Sequence, residues 1–248
     1  MTKQKRKNTG VGEWAEKSVN IQYGCENNCR YCYARKMAAR FNRIPDKGWE
    51  YPIIKSEIFF HLPQNTTVML PSTHDITEHN VGDMLVLMGR LLKRNNRLLI
   101  VSKPRKACIK LLYKNEVLLQ YRDKIEFRFT IGSIYDDILK QWEPNAPDAQ
   151  QRISCLDIIA MSGFTYSISC EPLLERDHDN GHVDVIDYLL QSFAFKPLTN
   201  YVTTVKEIWI GAMNYMKDAP KLDYTKIYAK YKDNPIIKWK DSFRKHLS

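Results

Sequence analysis

Between residues 66 and 211, short apolar or alternating runs take turns with stretches of helical period. This rhythm constrains the fold more than any other feature. Thr66–Leu70, Arg97–Ser102, Lys124–Ile131, Phe164–Ser169 and Glu207–Gly211 read as strands. Among them, Val81–Arg94 sets Val81, Met84, Met88 and Leu91 on one stripe, and Pro104 opens a helix running to about Gln120. Ala149–Ser162 aligns Ile153, Leu156 and Ala160 before a stop at Gly163, and Val183–Phe193 aligns Ile186, Leu189, Leu190 and Phe193. Upstream, Ser18–Tyr23 alternates like a strand and Ala34–Phe41 reads as a helix. Strands that alternate with helices build βαβ units around a parallel sheet. The 248 residues hold six such strands and about six helices, too few for an eight-unit barrel, which takes about 250 residues. The expected fold is α/β, a partial (βα)6 TIM-like barrel over residues 19–214. A polar, basic lead-in (1–18) precedes it and a basic, aromatic-containing extension (215–248) follows. In such sheets chemistry gathers at the C-terminal ends of the strands.

No long uncharged apolar run is present, so no helical membrane span is expected. The basic N-terminus lacks the apolar stretch of a secretory signal. Six cysteines are too sparse for a disulfide scaffold, and the expected compartment is the reducing cytoplasm. The net charge of +10 attracts polyanions, which makes DNA or RNA a candidate partner. The segment 215–248 carries nine Lys/Arg against four Asp/Glu. Its Tyr224, Tyr228 and Tyr231 fall at helical spacing, which favours packing on the barrel over stacking on bases.

Three of the cysteines fall in one window: Cys25, Cys29 and Cys32, spaced C-x3-C-x2-C. Gly24 and the Asn27–Asn28 pair argue for a loop after a strand. A loop can wrap three thiolates around one centre. Three thiolates supply three of the four ligands of a [4Fe–4S] cluster and leave one iron open. Structural zinc normally wants four ligands, often as two separated pairs, and no second C-x-x-C is present. Zinc completed by Cys108, Cys155, Cys170 or a histidine, and three unrelated core cysteines, are the other readings.

The window resembles the radical S-adenosylmethionine enzymes, whose pattern is C-x3-C-x-aromatic-C, with Tyr31 in the aromatic position. Asn20 through Arg35 is similar to the spore photoproduct lyase-like branch and to related phage-encoded radical proteins. So are Glu143-Pro144-Asn145-Ala146-Pro147, with Arg152 following, and Ser169-Cys170-Glu171-Pro172-Leu173-Leu174. These landmarks cover about residues 19–213. The resemblance implies a [4Fe–4S] cluster on Cys25, Cys29 and Cys32 that binds S-adenosyl-L-methionine. Its reductive cleavage gives a 5′-deoxyadenosyl radical for hydrogen abstraction, in a lyase or oxidoreductase reaction. An electron donor such as flavodoxin or ferredoxin is implied, with a nucleic acid or nucleotide as substrate.

By the same resemblance Tyr31 lies near the adenine, and His74 and Asp75 near the methionine end. Lys103 approaches the cofactor carboxylate, and Thr130 the ribose or carboxylate. The lyase branch places a hydrogen-donating cysteine just after the second strand; here that stretch carries Ser72, and an alcohol is a poor donor beside a thiol. Cys170, at the end of the fifth strand, is the candidate substitute. Glu171 beside it is the candidate carboxylate facing cofactor or substrate. The rival class is a non-catalytic nucleic-acid-binding protein whose metal site only shapes a loop. His74, Glu78 and His79 miss the spacing of a zinc protease, and Gly10-Val11-Gly12 has no strand before it to make a dinucleotide fingerprint.

Overall fold

A computed structural model describes residues 10–176, 184–194, 205–214, 216–219 and 221–247. The strands are β1 (Lys17–Ser18), β2 (Gln22–Tyr23), β3 (Ile53–Ile54), β4 (Thr67–Leu70), β5 (Arg97–Ser102), β6 (Ile125–Thr130), β7 (Thr165–Cys170), β8 (Ile208–Ile210) and β9 (Ile237–Trp239). The helices are α1 (Tyr33–Arg40), α2 (Val81–Lys93), α3 (Lys106–Tyr113), α4 (Glu116–Gln120), α5 (Asp136–Trp142), α6 (Ala149–Met161), α7 (Asp184–Leu189), α8 (Tyr224–Tyr231) and α9 (Asp241–Arg244). Seven strands form one sheet in the order β1-β4-β5-β6-β7-β8-β9, all parallel, and it curls into a partial barrel.

Strand alternation sorts the side chains. Val68, Leu70, Leu98, Ile100, Phe127, Phe129, Ile168 and Ile208 join the large core shared with the helices. Each such side chain stabilises by about 1.5–3 kcal/mol when fully buried. The residues between them face the barrel interior. There Met69, Leu99 and Val101 pack against Val11, Trp14 and Ala15. Farther round, Arg128 meets Glu126, Ser167 and Glu207, with Trp14 and Trp209 flanking its guanidinium at 4.8 and 5.2 Å.

Several boundaries differ from the sequence reading. The single strand expected over Ser18–Tyr23 is two: β1 joins the barrel, and β2 pairs antiparallel with β3. Asn20 causes the break, because its amide bonds Ser72 and Thr73 across the chain at 2.6–2.9 Å. The helix expected from Pro104 to Gln120 is split into α3 and α4 by Asn115, whose side chain caps Leu118 N–H at 3.2 Å. The strand count is seven instead of six, because Ile237–Trp239 of the expected extension pairs with β8. Its aromatics pack inward as a group: Tyr224 on Phe243 at 5.1 Å and Tyr228 on Trp239 at 5.2 Å. At the other end, Gly10 to Glu16 of the expected lead-in plugs the barrel, and its last two residues, Lys17–Ser18, are β1. Residues 1–9, Val183 of the helix expected over Val183–Phe193, and Tyr215 at the expected boundary lie outside the described residues.

Candidate functional site

A cavity of about 390 Å³ opens at the C-terminal ends of the strands. Cys25, Cys29 and Cys32 line one side of it. Their loop is built by tight turns. Gly24 sits at φ +89°, and a Cβ there would stand 2.7 Å from the Trp49 carbonyl oxygen, so only glycine fits. Cys25 N–H donates to that carbonyl at 2.8 Å. Asn28 takes φ +45°, and its N–H returns to the Cys25 carbonyl at 3.2 Å. Cys32 caps α1, its sulfur accepting from Arg35 N–H at 3.4 Å.

Cys25 and Cys29 are buried and Cys32 is half-buried. Burial pushes the Cys25 thiol up to about 12, with Asp75 adding to the rise, and pushes Cys29 up as well. Among the described residues no three His, Cys, Asp or Glu side chains gather as one metal ion requires. Three thiols lining one cavity are the donor set of an iron–sulfur cluster with an open position.

The loop is clamped by the segment after α5. Arg30 N–H donates to the Trp142 carbonyl at 2.9 Å, and its guanidinium lies 5.1 Å from the Trp142 ring. Asn145 donates to the Glu26 carbonyl at 3.0 Å. Arg105 donates to Asn27 Oδ1 at 2.6 Å and to the Asn145 carbonyl at 2.9 Å. The Tyr31 hydroxyl donates to Glu143, which in turn pairs with Arg152; both of those side chains are 0% exposed. Arg152 also donates to the Pro147 and Thr130 carbonyls at 2.8 and 3.4 Å. Burial, then Glu143, drives the Tyr31 hydroxyl well above its ordinary value, so it stays a proton donor.

Asp75 and Lys103 make the charged centre of the same wall. Asp75 Oδ1 accepts from Lys103 N–H at 2.7 Å, and Oδ2 accepts from Asn27 at 2.9 Å and from Lys103 Nζ at 3.4 Å. Burial works against both charges, yet Lys103 holds Asp75 below the usual carboxylate range and Asp75 holds Lys103 above the usual lysine range. The ammonium also lies 5.8 Å from the Tyr31 ring. Thr130 reaches the cavity from the end of β6.

His74 lines the cavity too, but both ring nitrogens are engaged by backbone: Nε2 accepts from Ile21 N–H at 3.2 Å and Nδ1 meets the Asp75 carbonyl at 3.1 Å. That leaves no ring nitrogen for a cofactor. Burial lowers its pKa to about 4, so it is neutral.

Glu171, Trp14 and Lys240 also line the cavity. Glu171 is partnered by Lys240 at 3.6 Å and Ser242 at 3.4 Å. Burial raises its carboxyl, against the pull of Lys240. Gly211 makes room for it, since a Cβ there would lie 2.7 Å from Glu171 Cγ. Lys240 also bonds the Gly10 carbonyl at 2.9 Å and Glu13 at 3.1 Å, with Trp14 stacked at 4.0 Å. Cys170 requires a correction. Strand parity turns it, with Ile168, into the helix-side core at 0% exposure, so its thiol does not face the cavity.

No family model matches the chain. An uncharacterized protein of Methanocaldococcus jannaschii is 24% identical over 192 residues, which cover 74% of this chain and 67% of that protein. A mutant of spore photoproduct lyase superposes with TM-score 0.57 at 17% identity, covering 94% of this chain and 65% of the lyase chain. Another lyase mutant, with bound S-adenosylmethionine and dinucleoside spore photoproduct, gives 0.52 at 17% identity, covering 87% and 61%. SuiB of Streptococcus suis bound to precursor peptide SuiA gives 0.51 at 10% identity, covering 93% and 50%. The chain thus spans less than two thirds of each of these structures. Both are radical S-adenosylmethionine enzymes, and the chain shares their partial-barrel fold.

Proposed function

We propose that this chain is a radical S-adenosylmethionine enzyme of the spore photoproduct lyase-like branch. The observation that carries this is the meeting of Cys25, Cys29 and Cys32 with Tyr31, the Asp75–Lys103 pair and Thr130 in one cavity at the strand ends. Bound there, a [4Fe–4S] cluster would supply the electron that splits the sulfonium of S-adenosylmethionine, yielding a 5′-deoxyadenosyl radical for hydrogen abstraction.

The protein's own residues bind and shelter. Cys25, Cys29 and Cys32 hold the cluster. Lys103 offers a buried cation to the carboxylate of the cofactor, kept in place by Asp75. Tyr31, fixed by Glu143, presents its ring to the adenine, and Thr130 its hydroxyl to the ribose. Glu171 faces the substrate side. A nucleic acid or nucleotide as hydrogen source is supported by the net charge of +10 and by the dinucleoside bound in a similar structure. The free thiols among the described residues suit the reducing cytoplasm.

The test is anaerobic reconstitution with iron and sulfide, reduction with S-adenosylmethionine, and mass-spectrometric detection of 5′-deoxyadenosine. Wild type should take up iron and form the product; Cys29→Ala should not. A wild type that takes up no iron refutes the reading and leaves a nucleic-acid-binding protein with a structural metal site.

A further inference from the structure

Among the described residues, eleven large apolar side chains are exposed, and six of them lie between residues 33 and 53: Tyr33, Met37, Phe41, Ile44, Tyr51 and Ile53. Tyr33 and Met37 stand at helical spacing on α1 and Phe41 follows at its C-cap; the Tyr33 hydroxyl also donates to the Ser72 carbonyl at 2.6 Å, beside the cavity. Next to this row, Ala34 and Ala38 turn inward and pack with Cys25, Cys32 and Trp49. Small side chains let the helix lie directly on the cysteine loop. A helix with its side chains is about 10–12 Å across, so a body seated on the outer face sits about that far from the thiols. Cys32, the least buried of the three, caps this helix.

The face is also positive. Residues 33–53 contain Arg35, Lys36, Arg40, Arg43 and Lys47 against Asp46 and Glu50, and Arg35 turns to the cysteine loop, donating to Asn28 Oδ1 at 2.8 Å. Arg40 and Arg43 make no ion pair among the described residues; their guanidiniums lie 5.7 and 5.5 Å from the Phe41 ring. Exposed apolar groups gathered in this way mark an interaction surface. Aromatic residues, methionine and arginine are the types enriched at protein interfaces. Met37, Ile44 and Ile53 offer nothing to a phosphate backbone, which weighs against a polynucleotide.

We propose that the outer face of α1, with the segment to Ile53, is the docking surface for an acidic electron-carrier protein of the flavin or iron–sulfur type. This rests on the function proposed above, which needs one electron delivered at the cysteine loop. In the step, one electron leaves the reduced carrier, oxidising it by one unit, and enters the site; no bond is made or broken. Electron-transfer contacts are small and steered by opposite charge, as Lys36, Arg40 and Arg43 beside the apolar groups would provide.

The probe is an acidic flavodoxin, tested against the full chain and the double variant Arg40→Glu/Arg43→Glu, with circular dichroism to confirm folding. On cluster-free protein the variant should bind flavodoxin at least about tenfold more weakly, and wild-type binding should weaken steeply with salt. On reconstituted protein, reduced flavodoxin should reduce the variant slowly while dithionite, which needs no docking, reduces both alike. Equal flavodoxin affinities and rates overturn the proposal. So does a variant that keeps flavodoxin binding and loses a single-stranded oligonucleotide. Failure of wild type to take up iron refutes the enzyme reading instead, and the cluster-free binding arm still decides the surface.

Discussion

The chain clamping the cysteine loop can be broken at one atom group. Glu143 is 0% exposed, pairs with the equally buried Arg152, and accepts the Tyr31 hydroxyl. Glu143→Ala leaves the guanidinium without a counter-charge where water does not reach. Removing one partner of such a pair costs about 3–5 kcal/mol. A chain of this size loses about 2–4 °C of Tm per kcal/mol, so the midpoint should fall by roughly 6–20 °C. The assay is thermal unfolding of cluster-free protein followed by circular dichroism. Arg152→Met alone should also destabilise, since it strips the Pro147 and Thr130 carbonyls of their donors. The double variant Glu143→Ala/Arg152→Met carries no stranded charge and should be more stable than the sum of the singles by over about 1 kcal/mol. A fall below about 2 °C for Glu143→Ala, or strict additivity in the double variant, would refute the reasoning. Glu143→Gln keeps an acceptor for Tyr31 and should be milder.

His74, held at a pKa of about 4 by burial against about 6.5 when free, should make stability rise with pH between those values. The unfolded chain binds the proton there and the folded chain does not, a difference of about 3 kcal/mol across the window; denaturant titrations should show that slope flattened in His74→Gln. Lys240→Met strands Glu13 and Glu171, and limited proteolysis should then cut the N-terminal segment at least several-fold faster; an unchanged rate would deny the lysine its linking role. Cys170→Ala should cost about 1 kcal/mol of stability as a core truncation and leave 5′-deoxyadenosine formation intact, since the thiol lies outside the cavity; loss of product would reverse that assignment.

The strand–helix rhythm was legible because buried parallel strands are apolar and their covering helices amphipathic, so each announces itself by period. α5 gave no such signal. Only Leu139 and Trp142 of its seven residues are buried, too few to show a period. β9 hid for a similar reason, as three residues inside a basic tail. The three cysteines were legible because thiols are rare and spacing is local. Lys240 was not, because a lysine among lysines carries no mark of burial, and its partners Glu13 and Glu171 stand far away in sequence. The resemblance set His74 near the methionine end of the cofactor; the Ile21 N–H that occupies its Nε2 belongs to another segment. Cys170 could have been placed correctly, since Tyr166 and Ile168 set the outward parity and Cys170 continues it.

The cavity has two walls of different origin. The cysteine wall is assembled from the loops that follow β2, β4, β5 and β6, and its charges are mutually satisfied: Asp75 by Lys103, Glu143 by Arg152. The part lined by Trp14, Lys240 and Glu171 is closed by residues near the two ends of the described segments. Trp14 enters from the N-terminal plug and Lys240 from the turn after β9, and Lys240 joins both to Glu171 on β7's continuation. Glu171 is held only by long contacts, at 3.4 and 3.6 Å, and its carboxyl keeps a raised affinity for protons. A group held that loosely at a cavity wall can trade its partners for a ligand's at small cost, whereas the buried pairs cannot. Under the proposed function, the fixed part of the cavity suits an invariant cofactor and the adjustable part a substrate. Changes in the plug or the last strand should alter which substrate is accepted before they alter cofactor cleavage.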